Sequence, residues 1–167
     1  DVDIATDSPR EEIEACLDRL VERHGVFVRW DKRRHKTKPW LPIAGYYLYY
    51  RSHFSAGTAT SIMLDVQLRR SPYRTERKKV VCGELFTAEV DVELPLGSSI
   101  IGDKLLTVGP YTLGIPVGKG KEAQRLKHVY DVSALMATCP DLTRIRESFE
   151  GCLAHENSLQ ERKSSAE

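Results

Sequence analysis

Asp1-Val2-Asp3-Ile4 sets two carboxylates two residues apart between apolar neighbours. Side chains alternate faces along a β-strand. Asp1 and Asp3 then share one face, and Val2 and Ile4 are expected to point into a core. Like charges at that spacing repel, and a cation between them relieves the repulsion. Oxygen ligands suit Mg²⁺, which takes one or two carboxylates plus substrate phosphates. The plainer reading is a strand end with two solvated aspartates. A third carboxylate, Asp65, stands mid-strand between Leu64 and Val66, where strand propensity disfavours it. Asp91-Val92-Glu93-Leu94 repeats the acidic pattern, but with Glu89 it makes three acids on one face and reads as a solvated strand face. Lys104 borders the apolar face of a helix, where a lysine either snorkels outward or leans into a cleft. Asp131 lies on a later helix, nearly opposite that helix's apolar stripe and near His128 and Leu135.

The elements that must carry these residues follow from periodicity and punctuation. Ser8 reads as an N-cap, with Pro9 in the first helical position and Glu11 completing a capping box. Ile13, Cys16, Leu17, Leu20, Val21 and His24 follow at helical spacing to a stop at Gly25. Residues 25–30 and the tyrosine-rich 44–54 read as strands. Residues 60–70 are the clearest strand, with Ile62, Leu64, Val66 and Leu68 alternating against polar positions. Residues 80–86 and 88–94 read as a further strand pair, with Val90, Val92 and Leu94 facing inward. The period then becomes helical. One helix is capped by Ser98 or Ser99, has Ile101, Leu105 and Val108 on its apolar face, and ends at Gly109-Pro110. Residues 111–121 read as a loop. Residues 122–138 form a helix with a core stripe of Leu126, Val129, Tyr130, Ser133, Met136 and Ala137. Pro140 breaks the chain before a last amphipathic helix over 141–162 carrying Leu142, Ile145, Phe149, Cys152 and Leu153.

At 167 residues the chain has single-domain length, and 41% hydrophobic with 29% charged residues is ordinary for a globular protein. The formal net charge of +1 gives no overall argument for nucleic acid. Local clusters do: Lys32, Arg33, Arg34, His35, Lys36 and Lys38 form one basic loop, and Arg69, Arg70, Arg74, Arg77, Lys78 and Lys79 a second. Each is either a solvated turn or a platform for phosphates. No apolar run approaches the roughly 18 residues of a membrane span, so no membrane partner is expected. Cys16, Cys82, Cys139 and Cys152 show no C-x-x-C and no paired Cys/His spacing. They read as reduced, partly buried thiols of a cytoplasmic protein. The chain begins on a strand-like segment without an initiator Met, so upstream residues are expected.

Taken in order, four segments resemble the AbiEii/AbiGii toxin family of nucleotidyltransferases, within the polymerase-beta-like superfamily. Asp1-Val2-Asp3-Ile4 fits the superfamily's D-h-(D/E)-h pattern, and Leu64-Asp65-Val66 fits its third carboxylate. Ile101-Gly102-Asp103-Lys104-Leu105 fits the family's (E/D)-K-L helix. Arg125 to Val132, with His128, Tyr130 and Asp131, resembles its (R/K)-H-x-Y-D-L helix. The likeness runs from Asp1 to Met136. The Gly-Gly or Gly-Ser turn that precedes the D-x-D in relatives, and whose backbone N–H groups hold the triphosphate, is not in this sequence.

The resemblance implies an α+β fold: a mixed-sheet core with one packed helix over 1–95, a helical part of the same domain over 96–162, and a disordered tail over 163–167. It implies a toxin that moves a nucleoside monophosphate from an NTP to an acceptor hydroxyl on RNA (tRNA) or protein, with an antitoxin as partner. Asp1, Asp3 and Asp65 would hold Mg²⁺. Asp65 would also help deprotonate the acceptor, and Lys104 would bind the triphosphate. Asp131 would orient Lys104 or line the nucleotide pocket. An RNA acceptor would lie on Lys32, Arg33, Arg34, Lys36, Lys38, Arg69 and Arg70. The competing expectation is a non-catalytic RNA- or protein-binding module, with Tyr46, Tyr47, Tyr49 and Tyr50 stacking on bases or simply packing the strand. A structural subunit without activity is the third.

Overall fold

The computed structural model describes residues 1–33, 42–54, 59–109 and 113–160. The basic residues Arg34 to Lys38, the start of the loop after Gly109, the tail over 163–167 and the side chain of His24 lie outside the described residues. The chain forms two compact units, Asp1–Ser71 and Pro72–Glu167.

The first unit is a four-stranded sheet with one helix. Its elements are β1 (Val2–Ala5), α1 (Arg10–His24), β2 (Phe27–Arg33), β3 (Ile43–Arg51) and β4 (Ala59–Gln67), and the strand order is β1-β4-β3-β2. β1 runs parallel to β4; the other pairs are antiparallel. Ile13 and Leu17 of α1 bury against Ala44, Tyr46, Leu48 and Val66, with Leu20, Trp30 and Leu64 at the border. Each such aliphatic side chain contributes about 1.5–3 kcal/mol when fully buried. Polar contacts fix the helix in place: Lys32 pairs with Glu14 at 2.8 Å, and Trp30 Nε1 donates to Asp18 at 2.9 Å. Arg10 also donates to the Ile43 carbonyl at 3.0 Å.

The predicted capping box at Ser8 does not form. Ser8 N–H donates to Thr6 Oγ1 instead, and Pro9 is the N-cap, without a side-chain hydrogen bond. The Gly25 stop holds, in the left-handed conformation at φ 62°. Val2 and Ile4 are half exposed rather than core, because β1 is an edge strand beyond the reach of α1.

The second unit holds a hairpin and three helices: β5 (Thr75–Cys82), β6 (Phe86–Pro95), α2 (Gly97–Val108), α3 (Glu122–Met136) and α4 (Leu142–Gln160). Among the described residues, β5 and β6 pair only with each other. The hairpin therefore joins the helices, whereas the sequence reading grouped it with the sheet. Its root is tied to α2 and α4. Ser99 Oγ accepts from Arg74 N–H and donates to the Arg74 carbonyl, and the Arg74 guanidinium pairs with Glu147 at 2.9 Å. Neither Ser98 nor Ser99 caps α2; Leu96 is the N-cap, and both serines are buried in the first turn. Val90 and Val92 are exposed, so the hairpin has no inward face at those positions.

Candidate active site

Within the described residues of the first unit, the sheet has one face under α1 and one face open. Even-numbered residues of β3 and β4 lie toward the helix; Gly45, Tyr47, Tyr49, Met63 and Asp65 lie on the open face. Asp3 and Asp65 are direct register partners on the parallel pair β1–β4. Registered residues on neighbouring strands project to the same side, so two carboxylates stand side by side there. Asp1 lies one residue before β1. Asp65 is partly exposed, and its Oδ1 lies 2.7 Å from Arg33 Nη2. Among the described residues, no three His, Cys, Asp or Glu side chains come together as a metal-binding group.

Further along the open face, Tyr47 and Tyr49 sit 6.5 Å apart, and the Arg29 guanidinium lies 3.6 Å over the Tyr49 ring. Arg29 also pairs with Asp31. Tyr46 is buried under α1, edge-on to Trp30 at 5.5 Å, and is removed from any stacking role. Burial, and then the Glu14 carboxylate, push its phenol above the ordinary value. Lys32 and Arg33 contact residues on opposite faces of the sheet, so they do not form one phosphate platform.

In the second unit Lys104 on α2 pairs with Asp131 on α3, Nζ to Oδ2 at 2.7 Å, with side chains 22% and 25% exposed. The hydrogen bond from Lys104 holds the Asp131 carboxyl below the usual carboxylate range. Arg125 Nε donates to the Val108 carbonyl at 3.2 Å, satisfying one orphan acceptor at the end of α2. His128 lies one turn before Asp131. Its Nδ1 is buried without a hydrogen-bond partner among the described residues. Burial, then the neighbouring Lys104, lower the pKa of this imidazole. Asp103 turns toward Tyr73, and burial raises its pKa against that hydrogen bond.

Arg125, His128 and Asp131 thus share the packed face of α3. The predicted core stripe is on the other side: Leu126 is 68% and Tyr130 73% exposed, and Val129 and Met136 are also open. The ion pair and the Arg125 cap turn the polar residues toward α2, and the stripe goes with the opposite face. Sequence reasoning also missed Gly45. Its signal was a lone glycine inside a strand pattern, which often marks a close approach.

A family profile described as "Nucleotidyl transferase AbiEii toxin, Type IV TA system" matches residues 1–166. The chain belongs to the AbiEii nucleotidyl transferase toxin family. No curated protein and no solved structure gives a match. The α+β architecture anticipated from the four motifs is the one observed, and three of those motifs fall on β1, α2 and α3, with the fourth mid-strand in β4. Among the described residues of this AbiEii-family chain, no helix is long and apolar enough to cross a membrane.

Proposed function

We propose that this protein is a Mg²⁺-dependent nucleotidyltransferase, the toxin of a toxin–antitoxin pair, that transfers a nucleoside monophosphate from an NTP to an acceptor hydroxyl of RNA (tRNA) or protein. The observation that supports it most is the registered pair Asp3 and Asp65 on the open sheet face. Hard oxygen donors on neighbouring strands, completed by phosphate oxygens, suit Mg²⁺ better than a softer metal. Asp3 and Asp65 would hold the metal; Asp1, which the family resemblance adds to them, does not group with the pair among the described residues. Bound Mg²⁺ supplies charge neutralisation at the phosphates and a template for the acceptor oxygen.

In this reading Asp65 accepts the proton of the acceptor hydroxyl. The acceptor oxygen bonds to the α-phosphorus, the α–β bridging bond breaks, and pyrophosphate leaves. For Lys104, held in one orientation by Asp131, the family resemblance implies a point charge toward the triphosphate tail. Incubating the protein with each labelled NTP and total RNA tests the reading, since one nucleotide should label one RNA class. Asp65→Ala should lower transfer by about 10³-fold or more while the fold is kept. Turnover at the wild-type level would remove Asp65 from the mechanism. The Arg29–Tyr49 stack favours a second reading, a non-catalytic RNA-binding module. An RNA affinity that survives loss of Asp1, Asp3 and Asp65, without any label transfer, would support it.

A further inference from the structure

Arg33, Gly45, Asp65 and Asp3 lie in one row across four strands. Arg33 is the register partner of Gly45, Gly45 of Asp65, and Asp65 of Asp3. The second position, Gly45, has no side chain, and Arg33 crosses it. Its Nη2 reaches Asp65 Oδ1 at 2.7 Å, and its Nη1 donates to Met63 Sδ. A Cβ added at Gly45 would stand 2.9 Å from Arg33 Nε and 3.2 Å from Asp65 Oδ1. Glycine alone leaves that passage open. Asp65 therefore has an anion beside it on one strand and a cation reaching it across the other.

We propose that Arg33 is the resident cation of the carboxylate pair: through the gap at Gly45 it holds Asp65 in the metal-free protein and competes with a divalent ion for it, so it sets how tightly the site takes that ion. The inference rests on the nucleotidyltransferase reading of Asp3 and Asp65, and makes Arg33 a positioning residue for Asp65. A guanidinium stays charged at any working pH, so it cannot give way by losing a proton. A dication approaching Asp65 meets a like charge already there. Arg33 also restricts the rotamer of Asp65, which favours metal binding. Fixing one short side chain counts for less than repelling an ion of twice the charge. Partial exposure of Arg33 and Asp65 to solvent limits the effect.

The test is a Mn²⁺ titration of the whole chain without nucleotide, read as free Mn²⁺ by electron paramagnetic resonance. Arg33→Met is expected to tighten Mn²⁺ binding by about fivefold to tenfold. Arg33→Lys keeps the charge and should stay near wild type. Gly45→Ala closes the passage and should tighten binding as Arg33→Met does, and the double variant should bind no tighter than Arg33→Met alone. An affinity that is unchanged or weaker in Arg33→Met, or additive in the double variant, overturns the proposal. So does a lowered Tm with wild-type Mn²⁺ affinity, which would leave Arg33 a structural ion pair only. Asp3→Asn and Asp65→Asn separate the two levels. If both bind Mn²⁺ like the wild type, the carboxylate pair is not the metal site and the reading beneath fails. If both lose Mn²⁺ while Arg33→Met stays unchanged, only the role of Arg33 falls.

Discussion

Lys104 and Asp131 meet at 2.7 Å while keeping about a quarter of each side chain in solvent. Deep burial would make such charges costly to maintain, and full exposure would leave the pair worth almost nothing. The intermediate setting holds a lysine in one direction and leaves it able to take a phosphate oxygen. The folded-state pKa of Asp131 is depressed, so its contribution to stability is present above the ordinary carboxylate value and is lost as pH falls through the lowered one. Asp131→Asn should therefore lower Tm at pH 7, and the gap to wild type should shrink below about pH 4. Thermal melts between pH 3 and 8 check this; a gap that does not change with pH would show that the pair is not electrostatic. In transfer assays the same variant should raise KM for the NTP. Asp65 and Lys104 stand out in the sequence as charges where a strand interior or an apolar helix border disfavours one, and Asp131 as a charge with Val132 and Leu135 close by; the structure pairs Lys104 with Asp131, and the transfer role of all three is the proposal. Arg33 was read as a loop cation and Gly45 passed unnoticed. Their meaning depends on a strand register that no local pattern encodes.

At Gly102 the backbone of α2 lies close against that of α4. A Cβ there would stand 2.6 Å from Phe149 N and 2.8 Å from the Ser148 carbonyl carbon. Both neighbours are backbone and cannot turn aside. Alanine would gain about 1 kcal/mol of helix propensity over glycine, but prising two packed helices apart costs about 1–3 kcal/mol or more. Gly102→Ala should therefore destabilise the second unit, seen as a lower urea midpoint; a rise in the midpoint would mean that the helices do not touch there. The faces of α3 show where periodicity stops being informative. This helix carries apolar residues on two sides, and spacing cannot say which side meets α2. Contacts far apart in sequence decide it: the Lys104–Asp131 pair and the Arg125 cap on Val108. The hairpin failed for a related reason. Alternation at Val90, Val92 and Leu94 implies a covered face only if a layer arrives to cover it, and Val90 and Val92 remain exposed. Of the α1 stripe, Ile13, Leu17 and Leu20 were legible because they match a sheet face of Ala44, Tyr46, Leu48 and Val66, whereas Cys16, read as part of it, is exposed.

At the scale of the whole chain, two cores are carried by different residues, and the chain holds a reporter for each. Trp30 stands edge-on to the buried Tyr46 in the first unit, beneath α1. Cys152 lies on α4 in the second unit, and burial, then Asp103, push its thiol up to about 12. The thiolate is the reactive form, so at pH 8 Cys152 is almost wholly unreactive while folded. Cys16 and Cys82 are exposed and should alkylate without any unfolding. Cys152 should alkylate only through opening of the second unit, at a rate set by that unit's own stability. Iodoacetamide labelling with peptide mass analysis is then expected to show Cys16 and Cys82 modified as fast as a free thiol and Cys152 protected until urea is added. Ile101→Ala removes a fully buried side chain of the second unit and should speed Cys152 labelling. Leu17→Ala should lower the urea midpoint followed by tryptophan fluorescence. Rapid labelling of Cys152 in the folded wild type would mean that the α4 face carrying Ile145, Cys152 and Leu153 is not packed, and with it the core that holds α2, and hence Lys104, in place.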